Sequence, residues 1–377
     1  MSDSFEIKVD AIKYPLDFKF DAGTSRGVLK RKDSYLIRVR SHAFPGLCGY
    51  GEAGPLPHLS VDDIPSLEEV LKQFCKEITK VSIPSKEGEI LDLLKGFIPD
   101  EFPSIRFAME VAILDLINGG QRRILKNSFY DQHTPMSING LIWMGDREFM
   151  LQQIEKKLDE GYNCIKMKIG SIDFEQECEL LAFIRHRFSA DQIILRVDAN
   201  GAFSEEEALS KLQRLSEFEL HSIEQPIRSG QWQTMGTLCQ ESPIPIALDE
   251  ELIGVHSLED KADLLNKIRP QYLILKPTLV GGILSTREWI SLAGQRGIGW
   301  WMTSALESNI GLNAIAQLTA SYDPQLPQGL GTGQLYHNNI DSPLKVHKGK
   351  IYYDKDINWG NVEGLFGEDS QGIGGKT

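Results

Sequence analysis

Nowhere in the 377-residue chain is there an uncharged apolar run of about 18 residues, so no segment reads as a membrane-spanning helix. The amino terminus, MSDSFEIKVD, lacks the basic flank and apolar stretch of a secretory leader, and a cytoplasmic protein is expected. Positive charge is in deficit: 40 Lys and Arg stand against 53 Asp and Glu, for a net charge of −13 and a pI near 5.2. Nucleic acids and anionic membranes are gripped by clustered Lys and Arg, so both are excluded as expected partners. Cysteine is scarce and odd in number; Cys48, Cys75, Cys164, Cys178 and Cys239 form no CxxC pair, which argues against a disulfide framework or a thiolate zinc site and for reduced, buried thiols. His58, His186, His221, His256 and His337 form no spaced pair, and Gly281-Gly282 is not a GxGxxG and does not indicate a dinucleotide. What remains is a small-molecule substrate, with room for a homo-oligomer.

Against those absences stand five ionisable residues at nearly equal intervals: Lys168, Asp198, Glu224, Asp249 and Lys276, separated by 30, 26, 25 and 27 residues. Each gap is about the length of one strand, one helix and two short loops. Each residue also closes an apolar run, as in Ile193 to Asp198 or Tyr272 to Lys276. Polar groups at strand ends with this period are what the catalytic face of a β/α barrel presents.

A minimal barrel needs about 250 residues, so roughly 100 are left for a second unit. Residues 6–40 read as strands interrupted by the polar insertion DAGTSRGVLKRKD, a hairpin tip or loop. A Gly- and Pro-rich loop, 49–60, gives way to helical text over 64–78. A further helix follows Ser104, read as its cap, with Ile105, Ala108, Met109, Ala112, Ile113 and Leu116 on one face. Residues 1–130 are therefore assigned to an α+β unit. From Met136 strands and helices alternate, with strands expected at 136–142, 163–168, 192–198, 220–224, 244–249, 271–276, 299–303 and 327–331. Between them, 204–216 carries an S-E-E-E start suited to a helix amino terminus. The fold class expected is α/β, a modified TIM barrel of seven or eight βα units over 131–333, with a doubly wound open sheet as the competing arrangement. The tail, 334–377, has strand text at 350–353 and is expected to return to the amino-terminal α+β unit.

Counted from Met136, Lys168 lies on the second strand, the three acids on the third to fifth, and Lys276 on the sixth. Strands two and six are four apart in a ring of eight, so the lysines face each other with the acids on the wall between. Three carboxylates form an all-oxygen set that selects Mg²⁺ or Mn²⁺ over zinc or copper. A cation there can hold a substrate carboxylate and stabilise the charge formed when the adjacent carbon loses a proton. A lysine can be the base only when neutral, and burial, the facing ammonium and the metal all lower its pKa. Taken singly, each residue has a plainer reading: a strand-end Lys is usually a solvated rim residue, and an Asp before Ala-Asn-Gly an Asx turn. Five in register at the period of a βα unit are much harder to produce without a common site. Gly281-Gly282, after Lys276-Pro-Thr-Leu-Val, offers backbone N–H groups at a helix start to a substrate anion.

The strings Ile165-Lys-Met-Lys-Ile-Gly, Arg196-Val-Asp-Ala-Asn-Gly, Ile223-Glu-Gln-Pro, Ala247-Leu-Asp-Glu-Glu and Leu275-Lys-Pro-Thr-Leu-Val-Gly-Gly closely resemble the muconate-lactonizing subgroup of the enolase superfamily. A lysine base paired with Mg²⁺-stabilised intermediates is a general property of that superfamily rather than a prediction from this chain. The resemblance implies that the α+β unit of residues 1–130 is a capping domain, that Asp198, Glu224 and Asp249 bind the metal, and that Lys168 is the base with Lys276 opposite. It further implies that Lys166 helps hold the substrate carboxylate, with Asn200 supporting that network and Glu250 and Glu307 behind the ligands. Thr303-Ser-Ala-Leu-Glu-Ser-Asn-Ile-Gly-Leu resembles the Ser-Ser-x-Glu-Ser segment of the o-succinylbenzoate synthase family of menaquinone biosynthesis, which brings in Ser304. The segment Gln328-Gly-Leu-Gly-Thr-Gly-Gln-Leu lacks the Asp-x-Asp with which dipeptide epimerases hold a substrate ammonium. What this implies is a syn dehydration of 2-succinyl-6-hydroxy-2,4-cyclohexadiene-1-carboxylate, with an N-succinylamino acid racemase or dipeptide epimerase as the alternative. Arg26, Lys30, Arg31 and Lys32 then form a basic loop tip placed to close over a succinyl carboxylate, or simply a solvated loop.

Overall fold

The computed structural model describes residues 4–24 and 27–367. Its amino-terminal unit is a three-stranded antiparallel sheet with Tyr35–Arg40 between Lys8–Lys13 and Gly49–Ala53. Helix Pro103–Ile117 lies across this sheet at unusually short range, because a Cβ on Gly49 or Gly51 would stand 1.9 or 2.0 Å from the Ala112 or Ala108 carbonyl oxygen. That approach buries every residue of the helix up to Leu116, so the one-faced pattern expected of it understates its burial. Nor is Ser104 its cap. The helix opens at Pro103, whose fixed φ and missing N–H suit the first turn, while Ser104 donates from both N–H and hydroxyl to Asp62, 42 residues earlier in the chain.

The polar insertion folds as a hairpin, Leu16–Thr24 with Gly27–Lys32, whose register slips between Asp17 and Ala22. The hairpin lies over a small core of its own, where Leu16, Phe18 and Ala22 meet Leu56, Trp143 and Leu306.

The larger unit is a curled sheet of seven parallel strands in chain order: Gly140–Ile142, Cys164–Lys168, Ile194–Asp198, Ser222–Glu224, Ile246–Leu248, Tyr272–Leu275 and Gly299–Met302. The eighth strand expected at 327–331 does not form as a ladder. Gln328 and Gly329 instead bridge singly to Ile138 of the approach to the first strand and to Thr303 after the seventh. Asn139 N–H donates to the Gln328 carbonyl at 2.9 Å and Ser304 N–H to that of Gly329 at 3.1 Å, which joins the two edges. Asp146, Asp173, Ser204 and Ser257 cap four of the helices between the strands, and Glu205–Leu215 begins with a reciprocal Ser204–Glu207 capping box.

Past the barrel, strand Lys350–Tyr353 pairs with Leu344–His347 and with the two-residue strand Met136–Ser137. Other parts of the tail reach the amino-terminal unit. The Tyr14 hydroxyl donates to the Asn338 carbonyl, and Arg38 pairs with Glu363 at 2.6 Å. All five cysteines are free, and all but Cys48 are buried.

Candidate active site

Parallel pairing sets Lys168, Asp198 and Glu224 side by side at the carboxyl ends of the second, third and fourth strands. Asp249 and Lys276 each follow directly on the last residue of the fifth and sixth strands. The two-residue period of a strand puts Lys166 on the same face as Lys168, one layer deeper, beside Arg196 of the third strand. The five periodic residues and Lys166 thus point into one ring of side chains, and their charges meet there.

The Lys166 ammonium lies 2.6 Å from Glu224 Oε2 and 3.0 Å from Asp198 Oδ2; Lys168 donates to Asp198 Oδ2 at 3.0 Å and to Asn200 Oδ1 at 2.8 Å. Lys276 donates to Asp249 Oδ2. Asn200, in a left-handed conformation with φ of 44°, extends the chain by donating to Glu250 Oε1 at 2.9 Å. Burial would raise the Asp198 carboxyl, but Lys166, Lys168 and Lys276 around it hold it far below the usual range. Glu224 goes the other way: burial and the neighbouring Asp198 and Asp249 push it well up. Glu250 is raised by burial and by Asp249. Lys276 departs from the depressed pKa expected of a buried lysine: burial lowers it, yet Asp249, Glu250 and Glu224 outweigh that and leave it raised. Four acids share this space with Lys166 and Lys276, and the ammonium is the form they favour.

Lys166, Lys168, Asp198, Asn200 and Lys276 line one end of a cavity of about 470 Å³, whose other walls are largely apolar, with Phe20, Leu29, Leu56, Trp143 and Leu306 among them. Ser304 lines it too, its hydroxyl 2.6 Å from that of Thr332. Gly281 does not. The helix start at Gly282–Gly294 is already served by an internal carboxyl, since Ile283 N–H donates to Glu110 Oε2 and a Cβ on Gly282 would strike the same group. Glu307 stands behind the wall, accepting from Thr278 Oγ1 and Ala305 N–H. Arg26 lies outside the described residues. Of the other residues expected at a basic loop tip, Lys30 and Arg31 are exposed beside Asp21 and Asp17, whereas Lys32 is completely buried at the hairpin base.

Two residues of the site were not singled out from the sequence. Gln225, left-handed at φ 41°, accepts from Asp249 and Glu251 N–H at 3.3 Å and so fixes where the fifth strand delivers Asp249. Its signal is its place between Glu224 and Pro226. Asn139 lines the cavity with a buried Oδ1 that has no hydrogen-bond partner; one Asn in an apolar strand is a weak signal.

The acids would suit a hard divalent ion: all their donors are oxygen, and Glu224 Oε1 is buried without a hydrogen-bond partner. With the ammoniums lodged among them, no three His, Cys, Asp or Glu side chains among the described residues converge as a ready-made metal cluster. A dication would therefore take over the compensation that Lys166 and Lys276 now provide.

Residues 150–357 match the family model for enolase C-terminal domain-like proteins, and the chain belongs to that family, whose enzymes depend on divalent metals. The particular likeness is to o-succinylbenzoate synthase of Desulfotalea psychrophila, 49% identical over 357 residues that span 89% of this chain and 96% of that one. The crystal structure of MenC from the same organism superposes with a TM-score of 0.81 at 43% identity, covering 92% of this chain and 99% of the other. An N-succinylamino acid racemase of Thermus thermophilus is 28% identical over 80% of this chain and 78% of its own length.

Proposed function

We propose that this chain is an o-succinylbenzoate synthase, a lyase that removes water from 2-succinyl-6-hydroxy-2,4-cyclohexadiene-1-carboxylate in menaquinone biosynthesis. The observation that carries the reading is the ring of Lys168, Asp198, Glu224, Asp249 and Lys276 in a chain nearly half identical to an o-succinylbenzoate synthase along almost its whole length. Asp198, Glu224 and Asp249 hold Mg²⁺, for which Mn²⁺ can substitute, and the ion supplies positive charge to the substrate carboxylate. Lys166, beside Glu224 and Asp198, donates to the same carboxylate.

Lys168 removes the proton from the ring carbon that bears the carboxylate. The C–H electron pair becomes ring π-bonding, the C–O bond to the neighbouring hydroxyl breaks, and Lys168 returns its proton to the departing oxygen, so that water leaves from the same face. Aromatisation makes the elimination strongly downhill. Asn200 keeps the Lys168 amine aimed, since it accepts from Lys168 while donating to Glu250. Lys276 stays an ammonium on the opposite side, a state its acidic neighbours favour, and stabilises negative charge without transferring a proton. The apolar wall takes the ring and the methylenes of the succinyl chain.

Purified protein with Mg²⁺ and the cyclohexadiene substrate should convert it to o-succinylbenzoate, followed by ultraviolet absorbance. Racemisation of N-succinylamino acids with no dehydration would overturn the assignment in favour of the racemase reading.

A further inference from the structure

Lys32 ends the second strand of the lid hairpin and is wholly buried, and its Nζ has no hydrogen-bond partner. A buried, unbonded ammonium is costly unless opposite charge surrounds it. Burial pulls the Lys32 pKa below its ordinary value, and the buried carboxylates of Glu52 and Glu307 oppose that shift and favour the ammonium. Both are already committed to other donors. Glu52 accepts from Ser34 Oγ and Ser308 N–H at Oε1, and from Ser308 Oγ and Gly311 N–H at Oε2, which joins the amino-terminal sheet to the helix after the seventh strand. Glu307 accepts from Thr278, two residues past Lys276, and from Ala305 in the turn after the seventh strand.

These three charges stand directly behind the cavity's apolar wall. Leu29 is three residues before Lys32, Leu306 one before Glu307 and Leu56 two after Gly54, and all three line the cavity. The backbone of Gly54 closes over the ammonium so tightly that a Cβ there would stand 2.7 Å from Lys32 Nζ and 3.4 Å from Glu52 Oε1.

We propose that Lys32 is a positioning residue: its buried ammonium, set against Glu52 and Glu307, fastens the lid hairpin to the turn after the seventh strand and so sets where Leu29, Leu56 and Leu306 stand relative to Lys276. It touches no substrate. Because the wall contacts only the non-reacting part of the substrate, a loosened fastener weakens binding and spares the chemical step. The kinetic half of this inference rests on the proposed dehydration; the structural half does not.

The test uses Lys32→Met, which removes the charge, and Gly54→Ala, which keeps every charge but displaces the flexible end of Lys32. With Mg²⁺ and the cyclohexadiene substrate, both should raise KM by about tenfold or more while kcat stays within about threefold, the signature of lost binding that is equal in ground and transition states. Amide hydrogen exchange should quicken over residues 27–32 and 303–308 and remain unchanged over the barrel strands. Folded variants with wild-type KM and wild-type exchange would overturn the proposal, as would a fall in kcat at constant KM. Should Lys32→Met not fold, Gly54→Ala decides, since the added methyl meets only a movable side-chain end. Should the wild type fail to dehydrate the substrate, the functional reading falls and the exchange experiment still decides on Lys32.

Discussion

At the scale of single residues, Lys168 and Lys276 differ in what they touch. Lys168 pairs with Asp198 and with the neutral amide of Asn200, so it has one carboxylate partner and one neutral aligner; Lys276 binds Asp249 and has Glu250 and Glu224 behind it. Proton transfer suits the first environment and a standing charge the second. Replacing Lys168 with Ala is expected to lower turnover by about 10²- to 10⁴-fold, the contribution of a positioned general base, while circular dichroism stays native. Near-normal turnover by a folded Lys168→Ala protein would remove the base from this position. Lys276→Arg keeps a cation but offers no proton donor of suitable pKa, because a guanidinium stays protonated. Dehydration should therefore survive better than any racemisation of N-succinylamino acids. The quantity to measure is the ratio of the two rates, since steric misfit of the larger group would depress both.

At the scale of elements, the join between helix Pro103–Ile117 and helix Gly282–Gly294 rests on one buried carboxyl. Glu110 reaches across to cap the second helix, and burial raises its pKa to about 8 even though the Ile283 N–H and Arg106 pull it down. A folded-state pKa above the ordinary 4.5 means the protonated form favours folding. That stabilisation is complete below about pH 4.5 and is lost as pH rises towards and through about 8, at up to about 1.4 kcal/mol per pH unit for one proton. Glu110→Gln cannot ionise, so its urea-unfolding midpoint should decline less than that of the wild type between about pH 5 and pH 8. Parallel profiles for the two proteins would show that Glu110 does not titrate in this window. Asp115, on the same helix and raised to about 7 by burial, adds a slope of the same sign in both proteins.

At the scale of the whole molecule, the acid ring is shared among strands that are far apart in sequence, so a cation bound there ties together residues 198 to 249 and favours the folded state over the unfolded one. Metal present at about 100 times its Kd would stabilise the fold by about 2.7 kcal/mol. Exhaustive chelation is accordingly expected to abolish dehydration and to lower the melting temperature, with both restored by Mg²⁺. Full turnover after chelation would sink the metal-dependent mechanism. Among the described residues no helix is long and apolar enough to cross a membrane. The apolar surface is instead spent on one large core that runs from the amino-terminal unit through the barrel and on three smaller clusters, one of them beneath the hairpin.

The chain by itself determined which residues would share a ring, because strand and helix lengths are fixed by backbone hydrogen bonding. A period of 25 to 30 residues therefore returns each strand end to the same rim. The same locality made the Ser204–Glu207 capping box readable and placed Lys166 on the face of Lys168. Other features depended on groups distant in sequence. Gly281 lies near a helix start whose acceptor is Glu110, 173 residues away from the Ile283 amide it accepts from, and nothing local to Gly281 reveals that partner. Lys32 reads as one of four basic residues in a polar loop, and only the packing of the hairpin base under Gly54, against Glu52 and Glu307, takes it out of water. Residues 327–331 read as an eighth strand of ordinary length, yet single bridges at Gln328 and Gly329 are all that form, because ladder pairing depends on how the first and seventh strands approach across the ring. Burial and through-space charge are properties of the assembled molecule, so they decided which of the charged residues face the substrate cavity and which hold its wall.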